Sequence, residues 1–245
     1  MNNIKSHGKF FYCFFGRRIK SKKNELVSAN CAYNKGDSDF IVNKNRKLVS
    51  NLLNGKDIII PHQTHSNTVL KVEEKIHSSF QCDALITSRN DILLGILTAD
   101  CAPIIVIGKK YFGIIHVGWK GLINNIIEHT IFKLNKLGED SINLNVFVGP
   151  HLKKVSFEVK SDFISIFKNK VIKHDEFLFE KNKKIYFDFS KLIKFKLLRC
   201  NIDKILISSQ NTYTKPKNFF SHRYCYVNKI KNCGRQISLV GIKNN

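Results

Sequence analysis

The sequence predicts an α/β protein in which a mixed β-sheet core is flanked by helices. Three observations support this fold class. Apolar runs of strand length recur along the chain, a helical apolar period follows Gly118, and no repeat, Pro-rich linker or Gly/Ser tract divides the sequence. At 245 residues with 43% hydrophobic side chains the chain is long enough for one sizeable core, so we expect a single domain over residues 1–245.

The predicted strands are apolar and β-branched runs bounded by polar or glycine-containing segments. They cover residues 58–60, 68–72, 92–98, 103–107, 111–117, 143–148, 205–208 and 236–242. Residues 61–66 should form a loop between the first two strands, and residues 108–110 should turn the chain between the fourth and fifth. Ala99, Asp100 and Cys101 interrupt an otherwise apolar stretch.

Helices are predicted from the spacing of apolar residues. After Gly118, such residues stand at 122, 123, 126, 127, 131, 134 and 137, and Gly138 follows as a stop signal. A helix therefore starts just past His116. Residues 163–171 and 192–198 give the other two helical segments.

The charge of the chain is strongly positive, with a formal net charge of +22 carried by 34 Lys and 7 Arg against 19 acidic residues. Specific recognition of phosphates and bases favours Arg, whereas these lysines are scattered along the chain. We interpret them as a solvated surface and expect no specific nucleic-acid partner. A basic nucleic-acid-binding module is kept as a distant alternative.

The apolar segments and the cysteines indicate the compartment. Residues 92–97 are too few to span a membrane, and residues 10–15 are shorter than the apolar part of a signal peptide. The seven cysteines form no Cys-x-x-Cys pair, which fits a reducing environment. We expect a cytoplasmic protein without a membrane partner, either a monomer or a small homo-oligomer.

Three side chains form a candidate metal site: His65, Cys101 and His116. Each lies in or beside a polar interruption next to a predicted strand. Thiolate and imidazole are zinc ligands, and three protein ligands leave the fourth position open, as in catalytic sites. The spacing matches no short zinc motif, so two loop histidines and one buried thiol remain the alternative. His62 competes with His65 for the same role.

Several ordered sequence blocks resemble those of the YfiH-like family. They are QTHS (63–66), CDALIT (82–87), LTADCAP (97–103) and IHVGWKG (115–121), with FEV (157–159), FFSHR (219–223) and GR (234–235) further along. This family was long described as multicopper polyphenol oxidases or laccases and is now described as purine nucleoside phosphorylases with adenosine deaminase activity. The resemblance spans nearly the whole chain and implies that His65, Cys101 and His116 bind zinc. It leaves His62 as a loop residue or a neighbour of the ligands.

The resemblance also implies the substrates: adenosine, inosine and S-methyl-5′-thioadenosine, with phosphate as the second substrate. For deamination, zinc would activate a water for attack on C6 of adenine while a carboxylate moves protons. We predict Asp100 and Cys101 as catalytic residues, with Asp83 as the weaker candidate carboxylate. The alternative is that Asp100 only orients its loop through backbone amides.

Phosphate binding requires cationic side chains and free amides. The turn of residues 118–121 enters a helix and carries Lys120, so we predict an anion seat there. Arg46 and Arg223 are predicted phosphate ligands because Arg is scarce in this chain; Arg235 stands out for the same reason. Structural salt bridges and glycine packing are the alternatives. Trp119 either stacks on a base or belongs to the core.

The chain departs from the family pattern at three places. Gly16-Arg17 replaces a double glycine, Asn211-Thr212 replaces a Cys-Thr pair, and His222 replaces a Tyr. These changes bear on substrate contacts and leave the predicted metal ligands intact.

Two further functions compete with the phosphorylase. A copper polyphenol oxidase would use the same His-Cys-His set, but the single Met is residue 1 and the sequence has no His-x-His pair, so we expect zinc and keep copper as the alternative. A peptidoglycan-precursor editing amidase, as some members of the family resemble, would use the same metal-activated water.

Overall fold

Strands and helices follow one another along the chain, as the sequence predicts. The computed structural model describes residues 4–20, 25–26, 28–73 and 80–243. Its strands are β1 (Lys5–His7), β2 (Phe10–Phe14), β3 (Ile19–Lys20), β4 (Glu25–Leu26), β5 (Asp57–Ile59), β6 (Val69–Lys71), β7 (Ala84–Thr87), β8 (Ile92–Thr98), β9 (Ala102–Ile107), β10 (Phe112–Val117), β11 (Asn145–Val148), β12 (Glu158–Val159), β13 (Leu178–Lys181), β14 (Lys184–Phe187), β15 (Ile205–Ile207) and β16 (Gln236–Ile242). Its helices are α1 (Asp39–Asn51), α2 (Trp119–Ile123), α3 (Ile126–Lys136), α4 (Ser161–Lys170), α5 (Phe189–Arg199) and α6 (His222–Val227).

Two large sheets form the centre of the protein. One has five strands in the order β1-β2-β16-β8-β5, and the other has six in the order β15-β11-β9-β10-β7-β6. Smaller sheets pair β12, β14 and β13, and β3 with β4. The α/β class with mixed sheets is confirmed. The apolar stretch that Cys101 interrupts supplies β8 to one large sheet and β9 to the other, so the chain changes sheet at the interruption.

The two large sheets pack face to face, with helices outside them. Along β9, Ile105 and Ile107 contact the five-stranded sheet, whereas Ile104 and Val106 contact the cluster that contains α3 and α5. Val49 of α1 packs on the opposite face of the five-stranded sheet. Strands buried on both faces read as continuous apolar runs, which explains why β8 to β10 were recognisable from the sequence.

The predicted helix after Gly118 is two helices. It starts at Trp119, as expected, but α2 ends at Ile123 and α3 begins at Ile126. Asn125 between them has φ of 69°, in the left-handed region that Asn tolerates better than most residues. The Nζ of Lys196 donates to Asn125 Oδ1 at 2.7 Å and therefore stabilises the break.

Several elements carried no clear signal in the sequence. They include β2, which the apolar residues 10–15 supply, and the 13-residue helix α1. The described part of the chain contains no helix long and apolar enough to cross a membrane.

Candidate metal centre

Three side chains meet where the chain passes between the two large sheets. His65 follows β5, Cys101 lies between β8 and β9, and His116 is near the end of β10. Their ligand atoms all lie within 4.8 Å of one another, and Cys101 Sγ is 3.7 Å from His65 Nε2. Ligand atoms of a tetrahedral zinc ion are roughly 3.5 Å apart, so a small closure of the three would complete the site. The structure thus brings the predicted ligands together.

Asp83 holds both histidines in place. Its buried carboxylate accepts hydrogen bonds from the amides of Thr64, His65 and Ser66 at 3.2, 3.0 and 2.7 Å, which fixes the loop. His65 itself has φ of 59°, an uncommon left-handed conformation for His. The same carboxylate lies 2.7 Å from His116 Nδ1. A carboxylate on the far nitrogen orients a metal-binding imidazole and leaves Nε2 for the metal.

Hydrogen bonding also fixes the charge of Asp83. Burial raises the pKa of this carboxyl, but hydrogen bonds from His116 and Ser66 outweigh burial and hold it well below its usual range. Asp83 is therefore ionised at neutral pH. From its sequence position Asp83 was predicted only as the weaker candidate proton carrier; in the structure its carboxylate contacts the backbone of His65 and the ring of His116.

Cys101 and His116 form a charge pair in the protein. Burial raises the pKa of the Cys101 thiol, but the charge of His116 and hydrogen bonds from both histidines lower it to about 6. Burial lowers the pKa of His116, but the Cys101 thiolate and Asp83 outweigh burial and raise it to about 9. At neutral pH the cysteine is thus already a thiolate, the form that binds metals, whereas His116 is protonated and would lose its Nε2 proton when a metal binds.

Gly118 lets the backbone pass directly beside two of these ligands. A Cβ at this position would lie 2.4 Å from His65 Cδ2 and 3.4 Å from Cys101 Sγ. At Gly121 a Cβ would lie 2.9 Å from the carbonyl oxygen of Ser66. Both glycines of the predicted anion seat therefore permit close packing against the histidine loop.

A cavity of about 930 Å³ opens beside the cluster. His65, Cys101 and His116 line one part of it, and apolar side chains, among them Trp119 and Phe157, line another. The remaining lining includes six basic or imidazole side chains: Lys35, Arg46, His62, His222, Arg223 and Arg235. Asp100 is the one acidic residue in the described lining. The cavity therefore joins the corner formed by the His65, Cys101 and His116 cluster, an aromatic wall and a positively charged region.

The predicted phosphate ligands differ in how many of their donor groups are already hydrogen-bonded within the protein. Arg46 donates from Nε to the carbonyl of Cys31 at 2.8 Å and stacks 4.2 Å above the ring of Tyr33, which leaves both Nη groups without a partner among the described residues. Arg223 uses Nη1 and Nη2 for the carbonyls of Ser156 and Glu158, at 3.2 and 3.0 Å.

Lys120 lies outside the described lining of the cavity. Its side chain is exposed, with Nζ 5.7 Å from the centre of the Trp119 ring. Its role in phosphate binding stays a prediction. Lys35 and Arg235 also line the cavity, although Lys35 was not predicted and Arg235 was noted only because Arg is scarce in this chain. Sequence position gave no sign that either residue would face the same cavity as the metal ligands.

Asp100 connects the segment between β8 and β9, which carries Cys101, to α6. It has φ of 86° and is buried; Oδ1 accepts from the hydroxyl of Thr212 and Oδ2 from the amide of Arg223, both at 2.6 Å. These contacts match the orienting role considered from the sequence. A role in proton transfer stays a prediction, and it would require one of these bonds to open.

Two other residues singled out in the sequence also line the cavity. His62 is exposed at the wall but is not part of the three-ligand cluster, so the geometry favours His65 as the ligand. The ring of Trp119 packs 4.8 Å from Phe163 at its buried side, so it belongs to both the core and the cavity wall.

Comparisons with known proteins find relatives along most of the chain. Residues 11–243 match the family model described as multi-copper polyphenol oxidoreductase laccase. The chain is 27% identical to a purine nucleoside phosphorylase of Rickettsia conorii, over 90% of this chain and 91% of the relative. It is 35% identical to a purine nucleoside phosphorylase of Aquifex aeolicus, over 66% of this chain and 75% of the relative.

Solved structures show the same fold. The Bacillus licheniformis hypothetical protein YfiH superposes with a TM-score of 0.82 at 22% identity, covering 96% of this chain and 93% of that one. A Neisseria meningitidis protein of the DUF152 family superposes with a TM-score of 0.84 at 20% identity, covering 98% and 96%.

Proposed function

Because the chain belongs to the YfiH-like family, we propose that it is a zinc-dependent purine nucleoside phosphorylase. The observation that carries the proposal is the cavity in which the His65, Cys101 and His116 cluster shares one space with a basic region. Relatives along most of the chain bear the name purine nucleoside phosphorylase. The proposed substrates are inosine, adenosine and S-methyl-5′-thioadenosine together with phosphate, and deamination of adenosine is the proposed second activity.

His65, Cys101 and His116 would hold the zinc ion. The donor set fits, since it combines one thiolate with two imidazoles and leaves room for a fourth ligand. When bound, zinc supplies Lewis-acid polarisation of an oxygen in the cavity. Copper is the alternative that the name of the family model suggests. A Met axial ligand for copper is lacking, since the single Met is residue 1.

The basic region of the cavity would hold phosphate. Arg46 offers two Nη groups that have no partner among the described residues, and these suit bidentate contact with phosphate oxygens. Lys35 and Arg235 line the same region and would add positive charge. Arg223 would act mainly by clamping the backbone at Ser156 and Glu158 beside the cavity.

The aromatic wall would hold the base. Trp119, Phe157 and Phe189 line the cavity together with the metal cluster, so a purine stacked there would lie near the metal ligands. Through its bonds to Thr212 and to the amide of Arg223, Asp100 would hold the segment that carries Cys101 against the start of α6. As the predicted proton carrier for deamination it is tested by Asp100→Asn, which should reduce deamination more than phosphorolysis.

We also propose that residues 1–245 work as a single cytoplasmic domain, a monomer or a small homo-oligomer. Its partners would be small molecules, without a specific nucleic acid or a membrane.

The first experiment measures metal and turnover together. The protein is purified without added metal, zinc and copper per chain are quantified, and inosine and adenosine are followed by chromatography with and without phosphate. We expect one zinc per chain, phosphate-dependent release of free base, and loss of both in Cys101→Ser. Cys200→Ser, at a half-buried cysteine on the far end of α5, is the matched control and should change neither. Stoichiometric copper, or turnover of a muramyl precursor in place of nucleosides, would contradict the proposal.

The second experiment tests the phosphate region. Arg46→Ala should raise the KM for phosphate by roughly 10- to 100-fold, the equivalent of one or two charge-assisted hydrogen bonds at about 1.4 kcal/mol per tenfold. The neighbouring exposed Lys47→Ala removes the same charge and should leave this KM unchanged. Lys120→Ala distinguishes the turn at residues 118–121 from the Arg46 region. An unchanged KM in Arg46→Ala would remove this residue from the proposal.

A further inference from the structure

A second cavity, of about 660 Å³, lies between the edge strands of the two large sheets. Lys5 of β1 and Tyr12 of β2 line one side, and Phe147 of β11 and Leu206 of β15 line the other. None of its described lining residues lines the metal cavity. Its volume is typical of small-molecule sites.

Tyr12 places a polar group in this cavity. The residue is 3% exposed, and its ring stacks on Phe147 with centroids 4.5 Å apart. The phenol hydroxyl has no hydrogen-bond partner among the described residues. Among the described residues, two side-chain polar atoms are inaccessible to solvent and lack a partner, namely Thr98 Oγ1 and Glu128 Oε2. The Tyr12 hydroxyl is not one of them, so it has accessible surface. The hydroxyl therefore opens into the cavity that Tyr12 lines.

A hydroxyl that opens into a cavity and has no partner among the described residues can donate to an acceptor on a ligand in place of water. Burial raises the pKa of Tyr12 to about 12, so the group stays a neutral donor at physiological pH. The hydroxyl thus favours a ligand that brings a hydrogen-bond acceptor.

The charge of the cavity favours an anion. Lys5 pairs directly with Tyr12 in the register of β1 and β2, so the two side chains leave the same face of the sheet. Arg18 also contributes to the lining, and the described lining contains no Asp or Glu. Phe14, Phe147 and Phe219 add flat apolar surface.

We propose that this cavity is a second binding site, for a small organic anion with an aromatic ring. The acid group would accept a hydrogen bond from the Tyr12 hydroxyl and pair with Lys5, while the ring packs on Phe14 and Phe147. The site is independent of the metal cavity and of the function proposed for it.

The test uses 8-anilinonaphthalene-1-sulfonate, an aromatic anion whose fluorescence rises in apolar sites, and N-phenyl-1-naphthylamine, which has the same rings without the charge. We expect one anion bound per chain and at least tenfold weaker binding of the neutral dye. Tyr12→Phe and Lys5→Gln should each weaken anion binding about 5- to 10-fold, as expected for one lost hydrogen bond or ion pair. Lys9→Gln removes the same charge from the adjoining turn and should bind as the parent does. Cys101→Ser should also bind normally.

Stability provides the second measurement. Tyr12→Phe removes only the unpartnered hydroxyl, so its urea midpoint should equal or exceed that of the parent protein. A lower midpoint would overturn the proposal, because it would show that the hydroxyl has a partner within the protein. Absence of stoichiometric binding, equal binding of the neutral dye, or binding indifferent to both substitutions would overturn it as well.

Discussion

Asp83→Asn tests the positioning of the proposed metal ligands with a substitution that keeps the shape of the side chain. One carboxylate oxygen of Asp83 accepts from the His65 amide and pairs with His116 Nδ1, and the other accepts from the Thr64 amide and from the amide and hydroxyl of Ser66. An amide replaces one of these oxygens with a donor. Whichever way the Asn side chain is turned, at least two buried donors lose their acceptor.

The expected effect follows from that count. Each buried unsatisfied group costs about 1–3 kcal/mol, so the free energy of unfolding should fall by roughly 2–5 kcal/mol. The melting temperature should fall by about 5–15 °C in a protein of this size. Loss of a carboxylate behind a metal-binding histidine typically costs about 10- to 100-fold in metal affinity, which we expect here for zinc.

Two assays separate these effects. Urea unfolding in the presence of a chelator gives the stability of the protein alone, and competition with a chromophoric chelator gives zinc affinity. Asp203→Asn, at an exposed position, is the matched control. Zinc affinity unchanged within a factor of two, with a free energy of unfolding within 0.5 kcal/mol of the parent (about the usual scatter for neutral surface changes), would refute the positioning role of Asp83.

Three further predictions concern other parts of the fold. Gly118→Ala should cost at least about tenfold in zinc affinity, measured by chelator competition, because a Cβ would lie 2.4 Å from His65; full zinc affinity would contradict this packing argument. Burial and the nearby charge of Lys153 lower the pKa of His151 from 6.5 to about 3, so the unfolded chain takes up a proton first as the pH falls. The free energy of unfolding should therefore decrease between pH 6.5 and 3 by up to roughly 4 kcal/mol, and His151→Gln should flatten that dependence in urea titrations at several pH values. Lys196→Met removes the partner of Glu128 and should destabilise the protein by roughly 2–3 kcal/mol in urea unfolding; an unchanged midpoint would show that the ion pair is dispensable.

Much of the central fold was predictable because its strands are buried on both faces. The strands β8, β9, β10 and β16 follow from runs of mostly apolar residues. The break at Asn125 was not predictable, since Lys196 stabilises it from a distant helix. The division of the strands between two sheets could not be predicted either, because a local interruption of an apolar run does not show which sheet the next strand joins.

The candidate site was predictable only in part. The three ligands were predicted from residue type together with family resemblance, and the structure brings them together. The interactions of Asp83 could not be derived from spacing, because its contacts with residues 64–66 depend on how the loop after β5 folds back over it. The basic region was only partly predictable: Arg46 stood out by composition, whereas Lys35 was one lysine among 34.

The placement of β16 has a consequence for the biosynthesis of the protein. This last strand lies between β2 and β8 in the five-stranded sheet, so that sheet cannot assemble until residues 236–242 have been made. His65, Cys101 and His116 leave the ribosome much earlier, but two of them lie on passages from this sheet to its partner. We expect the nascent chain to remain unable to hold a metal ion firmly until residues 236–242 have joined this sheet. Loading of a metal would then follow the assembly of the sheet, when the cellular supply of metal, rather than the order of synthesis, selects the ion.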